Sequence, residues 1–259
     1  MEFAGRPFRM FDLAGADYVA RLMQQGLYEP PLPMLTMAVI ARTQGLFLDV
    51  GANNGLYSIL AAITRTDLRV LAFEPHPEVL KALRRNLALN ELSERVTVHE
   101  IALSDSVGTA ELHVPDDAHG LLETSASLEA GFKPFVRTIT VDKRRLDDLD
   151  LGGEVSLIKA DIEGHEAAFL NGALGVLQRD RPMVFAEMLA PAVATFRSLS
   201  QMMMELGYLP FRLRQEQAIL TRAIAYDPLA WNYVLVPREK MPLFEDCCTT
   251  HQIEIVRPQ

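Results

Sequence analysis

Residues 46–55, LFLDVGANNG, constrain this chain more than any other stretch. Leu46, Phe47, Leu48 and Val50 enclose one acid, Asp49, and a short apolar run that ends on glycine reads as a buried strand. Gly51-Ala52-Asn53-Asn54-Gly55 then turns the chain, and residues 56–63 read as a helix. Strand, glycine turn and helix form the opening of a nucleotide-binding α/β unit. The glycines let the backbone approach a ligand in conformations that a side chain forbids, and the helix start offers free N–H groups.

Two details select the ligand. The turn is G-x-x-x-G, so it has neither the G-x-G-x-x-G spacing of a dinucleotide site nor the Lys-Ser/Thr ending of a phosphate-cradling loop. Asp49 stands just before the first glycine, where a carboxylate repels a pyrophosphate but accepts a hydrogen bond from an ammonium group. Arg69-Val70-Leu71-Ala72-Phe73-Glu74 reads as a second strand with an acid at its end. An acid about 20 residues past the glycines can take both hydroxyls of a ribose. An amino-acid head and a ribose without a phosphate point to S-adenosylmethionine. The competing readings are an NAD-type fold with a divergent loop and a Rossmann-like domain without a ligand.

A chain of 259 residues is long enough for one large α/β domain with its own core. A net charge of -9 disfavours binding to a phosphate backbone, so no nucleic-acid partner is expected. Cys247 and Cys248 are neighbours and cannot build a disulfide framework, which points to a reducing, cytoplasmic setting. No secretion signal is evident at the start, and no apolar run is long enough to span a bilayer.

The chain divides into an N-terminal helical extension, 1–45, a main domain, 46–240, and a C-terminal tail, 241–259, read as irregular. In the extension, 12–25 is weakly helical, and 34–41 is an apolar helical run that is either a packing layer, a cover for the ligand or the face of a homodimer. From 46 onward, helices and apolar runs alternate, which means βαβ units and a mostly parallel sheet. A helix is expected over 77–89, a third strand over 95–101, and a β insertion over about 106–142 whose strands 109–114 and 136–141 pair. The segment 121–133 reads as a loop. The fourth and fifth main strands are 155–161 and 183–187, with helices over about 163–178 and 192–206. Two strands without a helix between them, 208–213 and 231–236, suggest an antiparallel pair at the sheet edge.

Acids therefore stand at the carboxyl ends of four strands: Asp49, Glu74, Asp161 and Glu187. In an open α/β sheet those ends face one crevice. A lone acid there is usually a helix cap or a solvated turn, but four in one register form a site.

The motifs DVGANNG, AFEPHP, ALSD, KADIEGHE, RPMVFAE and WNYVLVP, in this order over residues 46–236, closely resemble the FkbM family of S-adenosylmethionine-dependent methyltransferases. LIKADIEGHE is the most specific of them, with Ala160 in place of the more usual Ile or Val. The resemblance implies a Rossmann-like α/β fold: a seven-stranded methyltransferase sheet, mostly parallel with an antiparallel last strand and helices on both faces. It also implies methyl transfer to a hydroxyl oxygen of a sugar, glycan or secondary metabolite, so the expected partner is a small-molecule or glycan acceptor.

On this reading Asp49 holds the methionine part of the cofactor, and the backbone at Gly51, Asn53 and Gly55 approaches its carboxylate and sulfur region. Glu74 binds the ribose, and Ala102, Leu103 and Ser104 frame the adenine. Asp161 lies beside the transferring methyl and orients the acceptor or takes its proton. The sulfonium is already electrophilic, so alignment is the main task, although an alcohol still benefits from a general base. His165 is a candidate base at a helix start, where the positive helix end favours neutral imidazole, and its plainer reading is a surface residue. Lys159, inside a buried strand, needs a carboxylate partner, and Glu187 is one candidate. Asp161, Glu163 and Glu187 could collect Mg²⁺, but acids in a crevice are more often hydrogen-bonding groups, and no metal is expected. The alternatives are methyl transfer to nitrogen, disfavoured by the missing Asn/Asp-Pro-Pro-aromatic tetrad, and a cofactor-binding scaffold without turnover. The segments expected to set specificity are 1–45, 115–135 and the loop after Glu187.

Overall fold

The computed structural model describes residues 1–11, 29–115, 126–131 and 134–257. The expected helix over 12–25 and most of the loop 121–133 lie outside the described residues. A short hairpin, β1 (Glu2–Phe3) and β2 (Arg6–Pro7), and helix α1 (Leu32–Ile40) precede the main domain. β3 (Leu46–Val50), α2 (Leu56–Thr64), β4 (Val70–Phe73), α3 (Pro77–Leu89) and β5 (Val96–His99) follow as two βαβ units. β6 (Ala102–Leu103), β7 (Gly108–Val114) and β8 (Arg137–Arg144) form a separate three-stranded sheet. The main sheet resumes with β9 (Val155–Ala160), helices α4 (Glu166–Asn171) and α5 (Leu174–Arg179), β10 (Met183–Glu187), α6 (Phe196–Glu205) and β11 (Tyr208–Arg214). It closes with β12 (Gln217–Leu220), β13 (Asn232–Pro237), α7 (Met241–Thr250) and β14 (Glu254–Val256).

The main sheet runs β14-β12-β11-β13-β10-β9-β3-β4-β5. β5, β4, β3, β9 and β10 are mutually parallel, and β13 is antiparallel to both of its neighbours. The strands β3, β4, β9 and β10 are buried at every position, as a parallel sheet covered on both faces requires. Phe47, Phe185 and Phe211 pack on one face with α1, α2 and α7; Leu48, Ile158 and Val184 pack on the other with α4 to α6. The chain leaves β3 for β4 on one side and returns to β9 on the other. That reversal opens a crevice at the carboxyl ends of the strands.

Several sequence expectations change here. Among the described residues the sheet has nine strands rather than seven, because β12 and β14 extend it beyond the antiparallel pair. β13 is therefore not at an edge but inserted between β10 and β11. The third strand stops at His99, and β6 departs to pair with β8. The helix expected over 163–178 is two short helices. Gly172 lies between them with its α-carbon against the Ser104 carbonyl, where a Cβ would come within 1.9 Å of the oxygen. The helix expected over 192–206 begins as a tight 3₁₀ stretch, Ala190–Thr195. The tail is not irregular. Pro242 suits the first turn of α7, and Phe244, Cys247 and Cys248 are fully buried there.

α1 is buried at all but one position and packs against α2, α7 and β9, so it is a core helix rather than a dimer face. No helix among the described residues is long and apolar enough to cross a membrane.

Candidate active site

Asp49, at the end of β3, is fully buried. Its Oδ2 accepts a 2.6 Å hydrogen bond from the Ser58 hydroxyl on α2, and its Oδ1 has no donor among the described residues. Burial raises its pKa, against the pull of the Lys159 ammonium. Glu74, at the end of β4, is 7% exposed. One of its oxygens accepts from the Asn53 amide and the other from the His76 amide, each at 2.9 Å. Burial still carries its pKa up to about 7.

The glycine turn differs from expectation in one respect. The N–H groups of Gly51 and Ala52 both go to the Phe73 carbonyl, Asn53 to Glu74, Asn54 to the Asn53 side chain and Gly55 to the Ala52 carbonyl. The turn therefore gives the crevice its shape and not a set of free donors. Its glycines are required by the chain itself. Gly51 has φ +74° and would place a Cβ 1.9 Å from the Asp161 carbonyl oxygen, and Gly55, at φ +88°, would strike Leu83. Asn53, Glu29 and Glu163 also hold left-handed backbone conformations around this crevice, a strain that side-chain-bearing residues keep mainly at functional sites.

A cleft opens along this turn, lined by Glu74, His76, Ala102, Leu103, Asp161 and His165 among others. Leu112 of β7 and Leu128 close one side, so the small sheet walls the cleft. Its mix of apolar wall and convergent polar groups suits a small organic ligand. His76 was missed by the sequence reading. Its Nδ1 caps α3, accepting from the Glu78 and Val79 amides, so Nε2 carries the hydrogen. That Nε2–H is buried without an acceptor among the described residues. The only local signal was a histidine just before the Pro-Glu start of a helix.

Ser104 does not line this cleft. It is 1% exposed, and its amide pairs with the Arg144 carbonyl. Its hydroxyl lies 2.9 Å from His165 Nε2, while His165 Nδ1 lies 2.7 Å from Glu129 Oε1. Both ring nitrogens of His165, expected as a candidate base, are thus engaged within the chain. The chain Ser104–His165–Glu129 instead ties the segment 126–131 to the cleft wall.

A second group occupies the other end of the crevice. Lys159 Nζ donates to Asp161 Oδ2 at 2.9 Å and lies 4.6 Å from the centre of the Tyr57 ring. Its partner is Asp161 and not Glu187, because Lys159 sits in register with Asp49 on β3 and Phe185 on β10, two positions short of Glu187. Glu29, absent from the sequence reading, arrives from the N-terminal extension and accepts from the Tyr57 hydroxyl at 2.9 Å. Carboxylate oxygens of Glu29, Asp161 and Glu187 lie within 4.8 Å of one another. Glu187 is 8% exposed, and no described group donates a hydrogen bond to it. Burial first, and then the charges of Asp161 and Glu29, hold its pKa well above the ordinary carboxylate value.

A mostly parallel sheet whose order reverses beside a glycine turn, with acids at four strand ends, defines a Rossmann-like α/β fold with a cleft at the strand ends. The chain matches the methyltransferase FkbM domain over residues 49–213 and belongs to that family. It is similar to methyltransferase sdnD of Sordaria araneosa, 32% identical over 48% of this chain and 59% of that protein. It is also similar to the 2-O-methyltransferase NoeI of Sinorhizobium fredii, 26% identical over 56% of this chain and 64% of that protein. The hexuronic acid methyltransferase AglP of Haloferax volcanii is 28% identical over 66% of this chain and 62% of that protein. The chain thus spans less than two thirds of the length of these curated relatives. Among solved structures, the methyltransferase FkbM of Methylobacillus flagellatus superposes with a TM-score of 0.48 at 19% identity, over 74% of this chain and 43% of that one.

Proposed function

We propose that this protein transfers a methyl group from S-adenosylmethionine to a hydroxyl oxygen of a small-molecule or glycan acceptor. The observation that carries the reading is the buried pair Asp49 and Glu74. Asp49 keeps one oxygen without a donor, as an ammonium site needs, and Glu74 is held by two amides at the ribose position. Family membership supports the activity, the name of the 2-O-methyltransferase NoeI supports an oxygen acceptor, and that of the hexuronic acid methyltransferase AglP supports a sugar-derived one. Two buried free thiols support a reducing, cytoplasmic setting.

When bound, S-adenosylmethionine supplies an electrophilic methyl on a sulfonium sulfur. Asp49 fixes the amino-acid head through its free oxygen. Glu74 accepts from the ribose hydroxyls, and Ala102 and Leu103 give the adenine an apolar wall. The turn 51–55 shapes the pocket between them. Asp161, at the junction of the cofactor cleft and the acidic group, is placed to orient the acceptor hydroxyl and take its proton. Lys159 holds the Asp161 carboxylate in position, Glu187 flanks the acceptor, and His165 acts as a positioning residue through Glu129. Alignment of oxygen, methyl and sulfur supplies most of the acceleration.

Calorimetric titration with S-adenosylmethionine, and separately with NAD⁺, tests this reading. Binding of the first alone, weakened about a hundredfold in Glu74→Ala by loss of hydrogen bonds to a charged group, is the expected outcome. Binding of NAD⁺ alone overturns it.

A further inference from the structure

His76 stands between β4 and α3, two residues past Glu74, and is 1% exposed. Its Nδ1 accepts from the Glu78 and Val79 amides at the start of α3, at 3.1 and 3.5 Å. The hydrogen is therefore on Nε2, and because the two ring nitrogens face away from each other, Nε2–H is turned away from the helix start. Burial first, and then the charge of Arg137, hold the pKa of the ring below the ordinary histidine value, so it stays neutral and keeps this tautomer. Nε2–H meets no acceptor among the described residues. Buried donors are normally paired, and the open space that His76 borders is the cleft, where it stands with Glu74, Ala102 and Leu103.

The backbone beside it is already committed. The amides of the turn 51–55 go to Phe73, Glu74 or the turn itself, and the Ser104 amide goes to the Arg144 carbonyl. Pro75, next to Glu74, has no N–H, and the His76 amide is held by Glu74. His165 is engaged at both ring nitrogens. Nε2–H of His76 is thus the buried side-chain donor that this wall leaves over for a ligand. Adenine offers ring nitrogens as acceptors, N3 and N7 among them. N3 is on the edge next to the ribose. With Glu74 at the ribose position two residues away, N3 is the acceptor nearest His76.

We infer that His76 recognises the adenine of the bound cofactor, its Nε2–H donating to ring nitrogen N3. The inference rests on the methyl-transfer reading and adds to it a donor that selects the base. The apolar wall of Ala102 and Leu103 accepts any flat ring, whereas the N–H demands an acceptor at one edge of it. One nitrogen of His76 fixes the start of α3 and the other reads the base, so the helix start holds the reading donor in a set place.

The test is calorimetric titration of the full chain with S-adenosylhomocysteine, with its 3-deaza analogue, in which C–H replaces N3, and with its 7-deaza analogue. Wild type is compared with His76→Asn, since Asn can cap α3 but carries no N–H at the position of Nε2. Wild type should bind the 3-deaza analogue about tenfold or more weakly than the parent, because a hydrogen bond is lost and a buried donor is left unpaired. The 7-deaza analogue should bind as the parent does. In His76→Asn the parent should weaken by a similar factor and the preference over the 3-deaza analogue should vanish. Equal binding of the parent and the 3-deaza analogue by wild type overturns the inference. Discrimination that persists in His76→Asn, or a penalty on the 7-deaza analogue in place of the 3-deaza one, also overturns it. The wild-type titrations need no variant, so they decide even if His76→Asn does not fold. Failure of S-adenosylhomocysteine itself to bind overturns the methyl-transfer reading as well, whereas binding without discrimination overturns the role of His76 alone.

Discussion

The two ends of the crevice differ in how their polar groups are held, although the cleft end too keeps Asp49 Oδ1 and His76 Nε2 without partners among the described residues. At the cleft end, Ser104, His165 and Glu129 satisfy one another, and Glu74 is held by two amides. At the acidic end, Asn232 buries an amide oxygen that has no donor among the described residues, and Glu187, 8% exposed, accepts no hydrogen bond from them. A preorganised wall needs its own groups locked, so that a ligand meets a fixed shape. An unsatisfied cluster is held in place by the surrounding fold and gains when its missing partner arrives. Asp161 belongs to both ends: it lines the cleft and joins the acid cluster.

The comparison breaks most severely where the two ends touch. Gly51→Ala sets a Cβ against the Asp161 carbonyl at a positive φ, adding overpacking to left-handed strain. A loss of about 3–5 kcal/mol is expected in chemical denaturation, and a near-neutral result would mean that β3 and β9 can separate at this point.

The next effect concerns Glu74 and pH. Its folded pKa of about 7 lies above the ordinary 4.5, so its contribution to stability without ligand is fully present below about pH 4.5 and is lost as pH rises through about 7. Wild type should therefore lose on the order of 2–3 kcal/mol relative to Glu74→Gln between about pH 5 and pH 8. S-adenosylmethionine affinity should change the other way, rising with pH through about 7 in wild type and staying flat in the variant, since the ionised group accepts both hydroxyls. Melting curves and titrations at the two pH values check both.

The smallest effect sharpens the role of His165. His165→Gln keeps one side-chain donor and loses the second contact of the relay. Cofactor affinity should fall about fivefold, with the pH profile of kcat unchanged, consistent with losing one hydrogen bond of about 1 kcal/mol. A kcat loss of about a hundredfold or more with affinity intact would return His165 to the role of general base.

Much of the fold and half of the site were legible in sequence for a local reason. Strand 46–50, its turn and the acids at four strand ends are adjacent in the chain to the elements that position them, so periodicity and spacing report them. Glu29 carries no such signal. It is a single acid before two prolines, and it reaches Asp161 only because α1 is buried against β9. Asn232 was hidden in a strand-like run, since its meaning depends on lying opposite Glu187. His165 was judged by residue type and helix position, whereas Glu129, from a loop far from it in sequence, decides what its ring can do. The same holds for Lys159, whose register and not whose neighbourhood picks Asp161 as partner.

The placement of β13 has a consequence for synthesis. It fills the space between β10 and β11, both of which are made before it. A chain emerging from the ribosome can assemble β3, β4, β9 and β10 around the cofactor cleft while the exposed edge of β10 still waits for a partner. Only when residues 232–237 emerge does the sheet close, and Asn232 arrives opposite Glu187 in that same step. The cleft can thus be occupied on a nascent chain before Asn232 reaches the acidic end, so a ligand present during translation would stabilise a half-finished sheet at its most aggregation-prone moment.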